Sequence, residues 1–229
     1  MRVSAVAFLV VGSAAFNKHI GKEFARFAQR YATAGMSVLE VGGTDFNGTP
    51  RPMFESRGCK YTAMDIALGR GVDLVNVPGE PFPMADGSYD IVVTTSTFEH
   101  DPTFWMTMRE IARVVRTGGI IFASAPSVGS YHAHPGDNWR FYRDAPVALA
   151  FWCGKELAMG GGQGRSYPVE VIDQYFLDDM WKNNFMTWRR TTTPVLNFTM
   201  GPQFDTAGAS LAAGARASGG SKGRGDNGR

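Results

Sequence analysis

Cysteine is nearly missing from this chain: there are two in 229 residues, Cys59 and Cys153. They form no CxxC pair and no Cys/His cluster, which excludes a zinc-finger type of site and a disulfide framework. Reduced, intracellular thiols are expected. Net charge is also scarce, at +2. Residues 201–229 account for it, with Arg216, Lys222, Arg224 and Arg229 against Asp205 and Asp226, so the first 200 residues balance. A balanced folded part has no broad basic face for nucleic acid, which is not expected as a partner. Long hydrophobic runs are missing too. The apolar run Val3–Val11, behind Arg2, is too short to span a bilayer. With Gly12-Ser13-Ala14-Ala15 after it, the run has the outline of a short signal peptide. The preferred reading of residues 1–16 is an apolar leader or first strand of a cytosolic domain, the signal peptide being the second reading.

What is present is an ordinary globular composition, 44% hydrophobic and 19% charged, in a chain long enough to bury one full core. Residues 17–32 read as a helix, with Ile20, Phe24, Phe27, Ala28 and Tyr31 on one face. Val38–Val41 reads as a strand, 50–58 as a crossover helix and Tyr61–Met64 as a second strand. A third strand is expected within Val72–Val77. Asp90–Thr94 is a fourth, apolar on both faces as parallel strands are. Thr103–Arg116 reads as a helix stopped by Gly118-Gly119, and Ile120–Ala125 as a fifth strand. Residues 127–167 break the pattern, and their Gly160-Gly161-Gly162 run reads as a linker or hinge. Val169–Lys182 is expected to be a helix after Pro168, and Met186–Thr192 and Val195–Met200 an antiparallel pair. The Gly/Ala/Ser/Arg-rich tail, 201–229, is expected to be disordered. The alternation of strand and helix predicts an α/β fold, Rossmann-like and doubly wound. Its sheet is expected to be mostly parallel and seven-stranded with an antiparallel edge strand, and residues 17–200 form the one domain.

The stretch Val38-Leu39-Glu40-Val41-Gly42-Gly43-Thr44-Asp45 carries the most information. A buried strand runs into an acid and then a glycine turn. It matches neither G-x-G-x-x-G nor the P-loop pattern, so neither a dinucleotide fingerprint nor a phosphate cradle is present. The Glu40 carboxylate suits a cationic amine, and glycines let a ligand approach the backbone. Asp65, 25 residues on at the end of the second strand, suits the two hydroxyls of a ribose.

These pieces resemble the class I S-adenosylmethionine-dependent methyltransferases, in particular the group with methyltransferase type 11 domains. VLEVGG (38–43), YTAMD (61–65), FPMADGSYDIVVTTSTFEH (82–100) and REIARVVRTGGIIFASAP (109–126) carry the resemblance, which spans about 17 to 142. It implies S-adenosyl-L-methionine as cofactor and methylation of a small-molecule or saccharide-like (glycan-type) acceptor by a cytoplasmic enzyme with no membrane span. It also implies roles. Glu40 faces the methionine part, with Gly42 and Gly43 in close approach; Asp65 binds the ribose and Ile66 packs on adenine. Asn76, with Asp73 as rival, meets the adenine amine, and Thr95 and Ser96 line the methionine end. Thr44 and Phe46 stand where the family usually has further glycines. His100, in Glu99-His100-Asp101, is the candidate base for an acceptor that must lose a proton, or else orders the loop. The run His132, His134, Asp137, Trp139, Arg140 suits an acceptor pocket or lid, with burial of Trp139 and Phe141 the alternative. His132, His134 and Asp137 have the chemistry of metal ligands, yet no further ligands converge in sequence and no metal is expected. The alternatives are an NAD-type oxidoreductase and a non-catalytic cofactor-binding module on the same fold.

Overall fold

The computed structural model describes residues 18–133, 136–157 and 164–194. The expected leader (1–16), the tail (201–229), the strand at 195–200 and the triple glycine lie outside the described residues. The strands are β1 (Ser37–Val41), β2 (Lys60–Asp65), β3 (Leu74–Val75), β4 (Tyr89–Thr95), β5 (Val115–Ala125), β6 (Val169–Phe176) and β7 (Asn184–Arg190). The helices are α1 (Lys18–Tyr31), α2 (Arg51–Glu55), α3 (Phe104–Val114) and α4 (Ala145–Cys153). The sheet runs β3-β2-β1-β4-β5-β7-β6. β1 to β5 are mutually parallel, and β7 is antiparallel to both β5 and β6. The expected α/β, doubly wound, mostly parallel seven-stranded sheet is therefore the fold.

Strand alternation divides the core into two layers. Leu39, Val41, Val92, Ile121, Ala123, Met186 and Trp188 pack on the α3 and α4 side, with Met108, Ile111 and Leu149. Val38, Ile91, Val93, Phe122 and Phe185 pack on the opposite side, against Ile20, Phe24 and Phe27 of α1 and Phe54 of α2. The stacked rings of Phe27 and Phe122, 4.2 Å apart, tie α1 to the sheet centre. Cys59 and Cys153 are buried free thiols. Among the described residues no helix is long and apolar enough to cross a membrane.

Three expectations need correction. Residues 169–176 are strand β6, not a helix, and only the turn at 178–181 follows. The register slips between Val171 and Asp173, leaving Ile172 as an extra residue. Val171 pairs with Trp188 and packs on the α3/α4 side, while Ile172 and Tyr175 pack on the α1 side. A bulge changes the parity of a strand, so strict alternation is lost and the apolar spacing imitates a helix. Among the described residues the antiparallel edge pair is accordingly β7 with β6, the expected partner at 195–200 lying outside them. Helix α3 ends at Val114 and β5 starts at once, four residues ahead of the glycine pair that was expected to stop the helix. Residues 127–167, read as irregular, contain α4. Its apolar side chains lie all round the helix, which erases the amphipathic signal.

Candidate active site

β1 is flanked by β2 on one side and β4 on the other. The chain thus winds away in both directions from β1, and the crevice beyond the carboxyl ends of β1 and β4 is where an open α/β sheet takes a ligand. Val41 and Thr94 are direct neighbours there. The loops after β1, β2, β4 and β5 meet above this point.

The loop after β1 is set by its glycines and by two acids. Gly42 has φ +78, and a Cβ on it would overlap the Thr97 side chain. A Cβ on Gly43 would stand 2.7 Å from Ala63 Cβ. Both glycines therefore permit close approach of this loop, Gly43 to strand β2 and Gly42 to the loop after β4. Glu40 is 3% exposed. Its Oε2 accepts the Tyr61 hydroxyl at 3.0 Å and the Thr49 hydroxyl at 3.1 Å. Burial pushes its pKa up to about 7, against the pull of those two bonds. The Asp65 carboxylate accepts the Thr44 N–H at 2.8 Å and the Ile66 N–H at 2.6 Å. Each carboxylate oxygen has a second lone pair, so acceptor capacity remains for a ligand. Ile66 itself is 55% exposed at the lip of the crevice. Thr44 and Phe46, the departures from a glycine-rich loop, are accommodated by Asp45. Its Oδ1 caps the Gly48 N–H at 2.7 Å and pairs with Arg70 at 2.8 Å, closing the turn onto the β2–β3 loop.

Asn76 follows β3. Its Nδ2 donates to the Val77 and Glu80 carbonyls, and its N–H to Asp65 O. The rival Asp73 is committed elsewhere: it pairs with Arg51 at 2.5 Å and accepts the Ala63 N–H. Those partners hold its pKa down despite partial burial.

After β4, Thr95 is buried and its hydroxyl shares a 2.8 Å hydrogen bond with Ser124. Ser96 has φ 47, unusual for a residue other than glycine, and its N–H is held by Ser124 O. Such strained backbone concentrates at functional turns. Glu99 is 1% exposed, and its Oε2 has no hydrogen-bond partner among the described residues. Burial raises its pKa to about 8. His100 places Nδ1 against the Gly136 carbonyl and Nε2 3.7 Å from Glu99 Oε1. A carbonyl only accepts, so Nδ1 carries the proton and Nε2 is the basic nitrogen. Asp101 braces the turn leading into α3, accepting from Thr103 N–H, Thr103 hydroxyl and Thr107 hydroxyl.

The segment after β5 is stapled over this loop. Asn138 N–H and Trp139 N–H both donate to Glu99 O, and Trp139 Nε1 donates to Asp101 O. Asp137, 1% exposed at its side chain, takes a bidentate ion pair from Arg140 at 2.5 and 2.7 Å. It also accepts the His132 N–H, with His132 Nδ1 3.1 Å away. Asp137 and Arg140, expected in an acceptor pocket, first of all brace the segment. His132 is brought to His100, ring centroids 5.1 Å apart. Trp139 and Arg140 do line a cavity of about 410 Å³, with Phe104, Trp105, Leu149 and Trp152. Phe141 is core, at 2% exposed, and Trp139 stays 37% exposed. His134 lies outside the described residues. The Glu99–His100–His132 grouping escapes the sequence because its members sit on two loops, 32 residues apart.

Residues 20–123 match the family model of the methyltransferase domain. An uncharacterized methyltransferase from Mycobacterium sp. (strain JLS) is 32% identical over 99 residues, 39% of this chain and 38% of the relative. A sarcosine/dimethylglycine N-methyltransferase from Halorhodospira halochloris is 29% identical over 104 residues, 39% of this chain and 37% of the relative. The chain thus spans less than half the length of these relatives. Among solved structures, the 1,6-didemethyltoxoflavin-N1-methyltransferase of Burkholderia thailandensis, with bound 1,6-didemethyltoxoflavin and S-adenosylhomocysteine, superposes with a TM-score of 0.54. It is 13% identical, over 75% of this chain and 78% of that one. The [4+2]-cyclase SpnF superposes at 0.56, 13% identical, over 79% and 84%. Both likenesses speak to fold. The parallel half of the chain thus resembles the methyltransferase domain in sequence, and the fold is that of S-adenosylmethionine-dependent methyltransferases.

Proposed function

We propose that this protein transfers a methyl group from S-adenosylmethionine to a hydroxyl-bearing small molecule of saccharide-like shape, residues 17–200 acting as one catalytic domain. The observation that carries the reading is Glu40. It is a buried carboxyl beneath the glycine turn, its two bonds coming from neutral hydroxyls, with no ion pair to lysine or arginine among the described residues. A ligand bearing positive charge would offset the cost of ionising it. Asp65, Ile66 and Asn76 supply the rest of a nucleoside site. The carboxylate has lone pairs for ribose hydroxyls, the exposed isoleucine an apolar face for adenine, and the amide oxygen an acceptor for its amine. Gly42, Gly43, Thr95 and Ser96 shape the methionine end.

The bound donor supplies an activated methyl group, so the chain has to align the acceptor and exclude water. The aromatic cavity beside Trp139 offers ring faces on which a sugar or another flat acceptor stacks. Arg140 is part of its lining. Glu99 and His100 are the groups positioned to handle a proton at the acceptor, the former buried and the latter with Nε2 turned to it. A sheet of this type also serves a [4+2]-cyclase, so the acceptor site and not the fold has to decide the chemistry.

Thermal unfolding and calorimetry with S-adenosylhomocysteine and with NAD test the donor. Stabilisation by the former alone is expected; stabilisation by NAD alone would sink the reading. Radiolabelled methyl transfer to a panel of hydroxylated and aminated small molecules then tests the acceptor, and labelling confined to amines would refute the hydroxyl assignment.

A further inference from the structure

We propose that Glu99, His100 and His132 form a binding site for one divalent transition-metal ion, of the zinc or manganese class, at the acceptor end of the crevice. One ligand atom from each of the three residues lies within 4.8 Å of the other two. Two imidazoles and a carboxylate are the donor set such ions take from proteins. Ligands around an ion of that size stand roughly 3–4 Å apart, and His132, partly exposed on its own loop, has room to close the difference.

The surroundings are those of ligands already oriented. His100 Nδ1 donates to the Gly136 carbonyl, leaving Nε2 on the Glu99 side. His132 Nδ1 is 3.1 Å from Asp137, whose carboxylate is itself fixed by Arg140. A ring nitrogen turned to a carbonyl or carboxylate is how a metal-bound histidine is held, since it fixes the tautomer and directs the other nitrogen to the ion. The independent observation is Glu99. Its side chain is 1% exposed, yet Oε2 finds no partner among the described residues. A buried carboxylate oxygen without a donor is costly, and a cation would satisfy it. The peptide staples from Asn138 and Trp139 to Glu99 O hold the two loops, and with them the ligands, at this spacing.

The role of the ion rests on the methyl-transfer reading. An acceptor hydroxyl bound to it is acidified and releases its proton to water. The oxygen then forms the new O–CH₃ bond as the C–S bond breaks, and that electron pair stays on sulfur as the thioether. The metal changes neither charge nor oxidation state. With the ion in place, Glu99 and His100 act on the acceptor's proton only through the ion that acidifies it, and not as bases.

The test uses the full chain without a histidine tag, stripped by a chelator and titrated with Zn²⁺ by calorimetry and with Co²⁺ by visible absorption. One ion per chain is expected, with a cobalt band in the visible region. Glu99→Gln and His132→Ala should each weaken binding at least tenfold. His132 sits on a partly exposed loop, so its variant remains informative if the Glu99 variant does not fold. Binding far below one equivalent, or affinity unchanged in His132→Ala, would overturn the site. S-adenosylhomocysteine binding is measured on the same samples. Donor binding without metal binding removes the metal site alone, whereas metal binding without donor binding removes the proposed function and leaves the site standing.

Discussion

Replacing Glu40 by glutamine separates a structural carboxylate from one kept for a ligand. The folded-state pKa is about 7 against an ordinary 4.5, raised by burial. The folded protein therefore holds a proton that the unfolded chain has released between those two values. Stability falls as pH rises through that window and levels off above about 7. A shift of about 2.5 units at about 1.36 kcal/mol each amounts to roughly 3 kcal/mol by pH 8. Glutamine keeps an oxygen for the Tyr61 and Thr49 hydroxyls and removes the ionisation. Glu40→Gln should therefore melt higher than the parent at pH 8, by about 6–12 °C at the usual 2–4 °C per kcal/mol for a domain of this size. At pH 4.5 the two should nearly coincide. The same variant should bind S-adenosylhomocysteine more weakly at pH 8, where the parent presents a carboxylate to the ligand's amine. Parent affinity should fall roughly tenfold between pH 8 and pH 6 as Glu40 takes up its proton, and the variant's should not. Fluorimetric melts across pH 4.5–8.5 and calorimetry at the two pH values measure all of this. A variant that melts lower at pH 8 would make Glu40 a stabilising residue and refute the argument.

Three further outcomes follow from the same geometry. Asp65→Ala should weaken S-adenosylhomocysteine binding by about 1–3 kcal/mol, the scale of a hydrogen bond to a charged group, and unchanged affinity in calorimetry would remove the ribose role. His100→Ala should leave that affinity within twofold while methyl-transfer turnover drops by about a hundredfold or more, and an unchanged rate would free His100 from the chemistry. Trp188→Ala should cost about 3–5 kcal/mol in chemical denaturation, because the indole is fully buried and donates to Pro146 O at 2.9 Å.

How much of this was legible in the sequence depends on how far apart the interacting residues are. The places of Glu40 and Asp65 in the fold could be read because one stands next to last in β1 and the other ends β2, and the strand ends of a parallel sheet share one edge. The helix α3 and strands β1, β2, β4 and β5 follow from local periodicity alone. β6 could not be read that way. Its bulge at Ile172 is specified by pairing with β7, where Trp188 and Phe185 face opposite core layers. A one-residue insertion that lets Val171 meet one layer and Tyr175 the other is invisible without the partner strand. The acceptor end shows the same limit. The run from His132 to Arg140 looked like a set of ligand contacts because its residue types are chemically reactive. In the folded chain Asp137 and Arg140 satisfy each other, and the group left facing His132 is the Glu99–His100 pair from another loop. Sequence distance separates the proposed donor site, at the ends of adjacent strands, from the proposed acceptor site, on two loops brought together by backbone staples. The donor class is therefore readable from the chain, and on the proposed reading the acceptor is to be sought at the junction of those loops.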